Sequence, residues 1–216
     1  MELKGLKINF LGDSITEWHR ATTKEKCYVS LMGSKYGCDA RNYGISGTRI
    51  AEQVKKNAAI AFDFGHFTLR CEYMEKDADV VFVLGGTNDF GHGDAPFGHY
   101  EDREPTTFCG SVHTLCQKLK ALYPSAKIVI ATPLPRATGN TPRSDGQGGT
   151  VVLADYCRVL EEAAAEYGLY LMKLCGNPDE RLSGFHDNSW YPDGLHPNDE
   201  GHERLADYIA DYLMRL

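Results

Sequence analysis

No stretch of this chain approaches the ~18 consecutive apolar residues of a membrane-spanning helix, so insertion into a bilayer is not expected. The apolar part of the opening MELKGLKINFLGDS is too short for a secretory leader and runs straight into Gly12-Asp13-Ser14. Positive charge is not in excess either. The formal net charge is -7, with both signs mixed along the chain and no basic stripe to displace phosphate counterions. Nucleic acid is therefore not an expected partner, and anionic membranes and polyanionic substrates are disfavoured. Cysteine is limited to positions 27, 38, 71, 109, 116, 157 and 175, an odd number without a C-x-x-C pair. That argues against a disulfide framework and a zinc knuckle; reduced, mostly buried thiols in the cytoplasm are the expectation. A complete G-x-G-x-x-G is missing, and Gly85-Gly86-Thr87-Asn88-Asp89 lacks the Lys-Ser/Thr of a phosphate loop. His92, His99, His113 and His186 share no metal-ligand spacing, so neither cofactor nor metal is expected. No repeat, low-complexity tract or linker interrupts residues 1–216, a length that suits one domain.

What the chain does contain is an alternation of short apolar runs and amphipathic stretches. Leu6–Leu11, Val80–Leu84, Lys127–Ala131 and the weaker Leu169–Leu174 are Leu-rich or β-branched without clean alternation, as in parallel strands covered on both faces. A short second strand is placed at Ala40–Tyr43. Helical spacing marks Thr107–Tyr123 through Phe108, Val112, Leu115, Leu119 and Leu122, and Val151–Tyr167 through Leu153, Tyr156, Val159, Leu160 and Ala163. A last helix from about Asn198 to Met214 carries Asp199 and Glu200 in its first turn, which suits the positive end of the helix dipole. Strands alternating with helices imply right-handed crossovers and an α/β fold: a three-layer α/β/α sandwich on a five-stranded parallel sheet in flavodoxin-like order. Phe90–Thr106 and Pro133–Gly149 resist regular structure. Both follow a strand, so both should lie at the carboxyl edge of the sheet, where such proteins bind ligands.

Four short blocks carry chemistry, and each follows a predicted strand. Ser14, in Gly12-Asp13-Ser14, sits where a nucleophile should, hydroxyl exposed beyond the strand end; an N-cap is the plain alternative. In Asp193-Gly194-Leu195-His196-Pro197, an imidazole can act as base on a serine hydroxyl while the Asp reaches back to its other nitrogen. A turn-capping Asp beside a structural His is the alternative, and from those residues alone the plainer one. Asn88 can aim an amide N–H at an oxyanion, and Gly44, in Asn42-Tyr43-Gly44-Ile45-Ser46-Gly47, can offer its own N–H; turn chemistry is the alternative for both. One fold would bring all four strand ends to the same edge.

The set GDSIT (12–16), NYGISG (42–47), GGTND (85–89) and DGLHP (193–197) resembles the SGNH hydrolase superfamily, the GDSL-type esterases and lipases. The resemblance implies a three-layer α/β/α fold and a serine nucleophile, Ser14, with His196 and Asp193 completing the triad. It implies an oxyanion hole from the N–H groups of Ser14 and Gly44 and the Asn88 side chain. The expected substrate is a small-molecule ester with a short acyl group, such as acetyl on a carbohydrate, in keeping with the polar loop after Asn88. Trp18 and Trp190-Tyr191 could offer stacking faces to a sugar or could be core edges. A lysophospholipase or acyl-thioesterase would use the same residues, and a non-catalytic flavodoxin-like or sugar-binding module would share the fold.

Overall fold

The computed structural model describes residues 1–55 and 65–216. In chain order the elements are β1 (Lys7–Gly12), α1 (Ser14–Glu17), α2 (Tyr28–Tyr36), β2 (Asp39–Gly44), α3 (Phe67–Arg70), β3 (Val80–Leu84), α4 (Thr87–His92) and α5 (Phe108–Leu122). They continue with β4 (Lys127–Ala131), β5 (Arg143–Ser144), β6 (Thr150–Val151), α6 (Leu153–Glu166), β7 (Tyr170–Met172), α7 (Ser183–His186) and α8 (Asp199–Met214). The main sheet has the order β2-β1-β3-β4-β7, every pairing parallel, which is the expected doubly wound arrangement.

The strand composition follows from burial on both faces. Along β3, Val80, Phe82 and Leu84 point into the layer built by α2 and α8. Val81 and Val83 point the other way, into the layer built by α5 and α6. A period-2 alternation then places apolar residues at every position, because neither face meets water. Asn9 is the buried polar exception in β1; its Nδ2 donates to Glu75 O at 2.7 Å. The two long predicted helices and the last one form as their spacing implies, with Thr107 capping α5 through Gly110 N and Asn198 capping α8 through Gly201 N.

Differences lie in the short elements. α2 is unforeseen because its nine residues include Gly33, and its inward face is only Tyr28, Val29 and Met32. The first residues of the loop after β3 belong to α4. The loop after β4 holds the antiparallel pair β5–β6, which delays α6 to Leu153. The two long loops are tied to each other, Phe97 N donating to Asp145 O at 2.8 Å.

The sheet order places a switch point between β1 and β3, since the chain leaves β1 toward β2 on one side and returns to β3 on the other. Crevices at such points, beyond the carboxyl ends of the strands, are where open α/β sheets hold ligands. Ser14 follows β1 and Asn88 follows β3.

Candidate active site

The exit of β1 is shaped by Gly12, Asp13, Ser14 and Thr16. A Cβ on Gly12 would fall 1.8 Å from Thr16 Oγ1, so only glycine lets α1 fold back over the strand end. The Asp13 side chain caps that short helix by accepting from Ile15 N at 3.0 Å. Thr16 is anchored by a 2.8 Å hydrogen bond to the Tyr28 hydroxyl. Ser14 is left as the first helical residue, with its Oγ 2.9 Å from His196 Nε2. Asp13 is fully buried, and desolvation pushes its carboxyl up to about 7.

The second half of the site comes from the turn before α8. Gly194 takes a left-handed φ of 75°, and Asp193 Oδ1 accepts from Leu195 N at 3.1 Å and His196 N at 2.8 Å. Asp193 Oδ2 lies 2.8 Å from His196 Nδ1. An ionised carboxylate only accepts, so Nδ1 carries the proton and Nε2 is left to accept from Ser14. Burial alone would raise the Asp193 carboxyl; the His196 backbone and ring donors together with Arg20 hold it well below the usual carboxylate range. For His196, burial outweighs the attraction of Asp193 and lowers the imidazole below its ordinary 6.5. The turn is braced from the loop after β4, Ala137 N donating to Gly194 O at 2.9 Å. The structure thus brings Ser14, His196 and Asp193 into one relay.

Asn88 lies across the same pocket, and its amide orientation is determined by its neighbours. Arg49 Nη2, a donor, sits 2.6 Å from His92 Nδ1, so His92 must carry its proton on Nε2. That proton meets Asn88 Oδ1 at 3.1 Å, and Asn88 Nδ2 donates to Thr48 O at 3.0 Å. One Nδ2 hydrogen remains for a ligand.

Gly44 departs from expectation. Its N–H is taken by Asn42 Oδ1 at 2.8 Å, and a Cβ there would fall 2.2 Å from Glu17 N. Gly44 is needed for the close passage of β2 against α1 and does not line the pocket. Gly47, three residues on, does line it, with φ 76° and no hydrogen-bond acceptor for its N–H among the described residues. The loop carrying Gly47 is held rigid: Glu17 accepts from the backbone and hydroxyl of Ser46, and Thr48 Oγ1 donates to Ile45 O at 2.6 Å. Beneath it, the half-buried Arg70 donates to Gly12 O at 2.9 Å, to Tyr43 O and to Thr48 Oγ1 at 2.8 Å, joining the ends of β1 and β2 to the loop. Desolvation lowers the Arg70 guanidinium to about 10.

These groups enclose a cavity of about 340 Å³ lined by Ser14, His19, Ser46, Gly47, Asn88, His92, Arg136, Leu195 and His196. Leu195 is its one large aliphatic wall. His19, Arg20, Gly47, His92 and Arg136 escaped the sequence reading. Trp18 and Arg20 adopt left-handed backbone angles (φ 127° and 67°), and this contorted segment sets the His19 ring 4.3 Å from that of His196 and Arg20 Nε 3.0 Å from Asp193. Among the described residues, His19, Asp193 and His196 form the one group whose ligand atoms, within 4.8 Å of one another, could hold a metal ion. Two of those three are already engaged in the relay. Trp18 is exposed at the rim, while Trp190 packs edge-on against Phe185 and Tyr191 is buried, so Tyr191 presents no stacking face.

The sequence pattern of the GDSL-like lipase/acylhydrolase family matches residues 10–204. An acetylxylan esterase of Xylanibacter ruminicola is 25% identical over 224 residues, covering 95% of this chain and 42% of that protein. The chain therefore spans less than half the length of that relative. A solved protein of Lactobacillus plantarum superposes with a TM-score of 0.78 at 24% identity, over 98% of both chains. The structure of an acetylxylan esterase from Geobacillus stearothermophilus gives a TM-score of 0.62 at 20% identity, over 98% of this chain and 95% of that one.

Proposed function

The chain belongs to the GDSL-like lipase/acylhydrolase family, and from that premise we propose that it is a serine esterase acting on short acyl esters of a carbohydrate. The observation that carries the reading is the relay from Ser14 Oγ to His196 Nε2 at 2.9 Å and from His196 Nδ1 to Asp193 Oδ2 at 2.8 Å, opening on a cavity. His196 takes the Ser14 proton as Oγ attacks the ester carbonyl, and the tetrahedral oxyanion is held by N–H groups of Ser14 and Gly47 and by Asn88 Nδ2. His196 then protonates the departing alcohol. Water, activated by the same imidazole, releases the acid from the acyl-enzyme. Asp193 stays ionised throughout and orients the imidazolium.

The cavity, of about 340 Å³, seats a short acyl group such as acetyl against Leu195. The acetylxylan esterases among its relatives support a sugar-linked acetate. The test is hydrolysis of p-nitrophenyl acetate, butyrate and palmitate by wild type and Ser14→Ala. Turnover of the short esters, lost in the variant, is expected; preference for palmitate overturns the carbohydrate reading in favour of a lipid ester.

A further inference from the structure

Two arginines beside the pocket have no counter-charge among the described residues. Arg136 lines the cavity with Ser14 and His196, and its Nη1 donates only to Thr87 O at 3.0 Å and Thr87 Oγ1 at 3.2 Å. Its guanidinium carbon lies 5.5 Å from the centroid of the Phe90 ring, and that of Arg143 lies 5.7 Å from the same ring. Among the described residues neither guanidinium reaches a carboxylate, and the Nε of each is buried without a hydrogen-bond partner. A benzene face attracts a cation, but it neither neutralises the charge nor accepts from the remaining N–H groups. Burial, and then the neighbouring Arg143, weaken the hold of Arg136 on its proton. Two carboxylates act on Arg136 from a distance, Asp13 and Asp193. Asp13 is buried, and desolvation raises its carboxyl and weakens its charge, while Asp193 is already engaged by His196 and Arg20.

The backbone keeps room for this arrangement. A Cβ on Gly91 would fall 2.7 Å from Arg136 Nη1, so glycine lets the guanidinium lie flat on α4. Arg136 also lines an adjoining groove of about 450 Å³ that runs past Pro135, Gly139 and Asn140. Its fork therefore stands at the junction of the catalytic cavity and the groove, where the part of an ester beyond its acyl group would pass.

We propose that Arg136, backed by Arg143, is an anion-recognition element of the substrate site, and that the ester carries a carboxylate close to the acylated hydroxyl, as in an O-acetylated uronic acid. The inference rests on the esterase reading above and names the substrate class within it. A planar guanidinium with free N–H groups matches a carboxylate in two parallel hydrogen bonds, which a lysine could not do. The formal net charge of -7 repels a long polyanion, whereas one carboxylate seated at the pocket feels chiefly the charges within about 10 Å of it.

The test compares kcat/KM on acetylated methyl glucuronoside, methyl glucoside and methyl glucoside 6-phosphate for wild type, Arg136→Gln, Arg136→Lys and Arg143→Gln. The expected result is a preference of tenfold or more for the glucuronoside over the glucoside. That ratio falls toward one in Arg136→Gln, is partly kept in Arg136→Lys and drops partway in Arg143→Gln. A ratio is used because Arg136 also holds Thr87, beside Asn88, and a shift there would slow all three substrates alike. Equal turnover of neutral and acidic sugars overturns the proposal, and a preference for the phosphate overturns the assignment to a carboxylate. If no ester is hydrolysed the esterase reading fails, and calorimetry on Ser14→Ala still decides this one. Methyl glucuronoside bound more tightly than methyl glucoside, and released by adding Arg136→Gln, supports it; no such difference overturns it.

Discussion

Replacing Asn88 by Ala separates two jobs of one side chain. In activity, the variant loses the Nδ2 hydrogen left over for an oxyanion, a contribution of ~10²–10³ in kcat when one such donor is removed from a serine hydrolase. In stability, it strips partners from Thr48 O and His92 Nε2. These losses are unequal. His92 is exposed, so water replaces the lost acceptor at little cost. Thr48 is 1% exposed, so its carbonyl is left unsatisfied, at a cost of ~1–3 kcal/mol. For a domain of this size that corresponds to a fall in Tm of roughly 2–12 °C. The assay pairs kcat on p-nitrophenyl acetate at 25 °C with thermal unfolding of the same preparation. Asn88→Asp provides the control: it preserves the shape and the acceptor for His92, but places a second anion where one must form, so kcat falls at least as far. A folded Asn88→Ala whose kcat stays within tenfold of wild type refutes the assignment of Asn88 as an oxyanion donor, whatever its melting temperature.

Other expectations follow from the same geometry. Ser14→Ala should lower kcat by several orders of magnitude with an unchanged far-UV spectrum; near-wild-type turnover would exclude Ser14 as nucleophile. Because burial lowers His196 below 6.5 and its neutral form is the base, kcat/KM should be retained above that pH and lost on acidification, with the midpoint below 6.5. A pH–rate profile centred above 6.5, or one with no loss of activity on acidification, contradicts this. Asp13 binds a proton more tightly when folded (about 7) than at its ordinary 3.8, so it makes stability fall as pH rises between those values. Asp13→Asn retains an acceptor for Ile15 N and should be more stable than wild type at pH 8, by at most about 4 kcal/mol, with the difference vanishing near pH 4. Urea unfolding at the two pH values measures it, and an equal difference at both is the contrary outcome. Gly44→Ala should destabilise by ~1–3 kcal/mol or more because its Cβ meets the α1 backbone, read as a lower denaturation midpoint. A melting curve identical to wild type would show that β2 can move away from α1.

The sequence by itself determined the layers, the sheet and the local pairing of Asp193 with His196. Residues buried on both faces must be apolar at every position, so Val80–Leu84 and Lys127–Ala131 announce central parallel strands. Amphipathic helices must show a 3.6-residue stripe, so α5, α6 and α8 were legible to within a few residues. Asp193 and His196 are three residues apart, and a local turn suffices to join them. Their meeting with Ser14 is tertiary: the turn leads into α8, and α8 packs with α2 on the sheet face that β1 shares. The tertiary structure alone decided which glycine of Asn42-Tyr43-Gly44-Ile45-Ser46-Gly47 faces the cavity. Gly44 and Gly47 are chemically the same, and only the packing of α1 against β2 and the side chain of Asn42 take the Gly44 N–H away. It also decided the company of His92, His19 and Arg136. Each is an unremarkable loop or helix-end residue in the sequence, and its role depends on partners 43, 177 and 49 residues distant: Arg49, His196 and Thr87. Periodicity reports what a residue does within its own element, whereas a charge without a counter-charge becomes visible only when distant segments are brought within a few ångströms of one another.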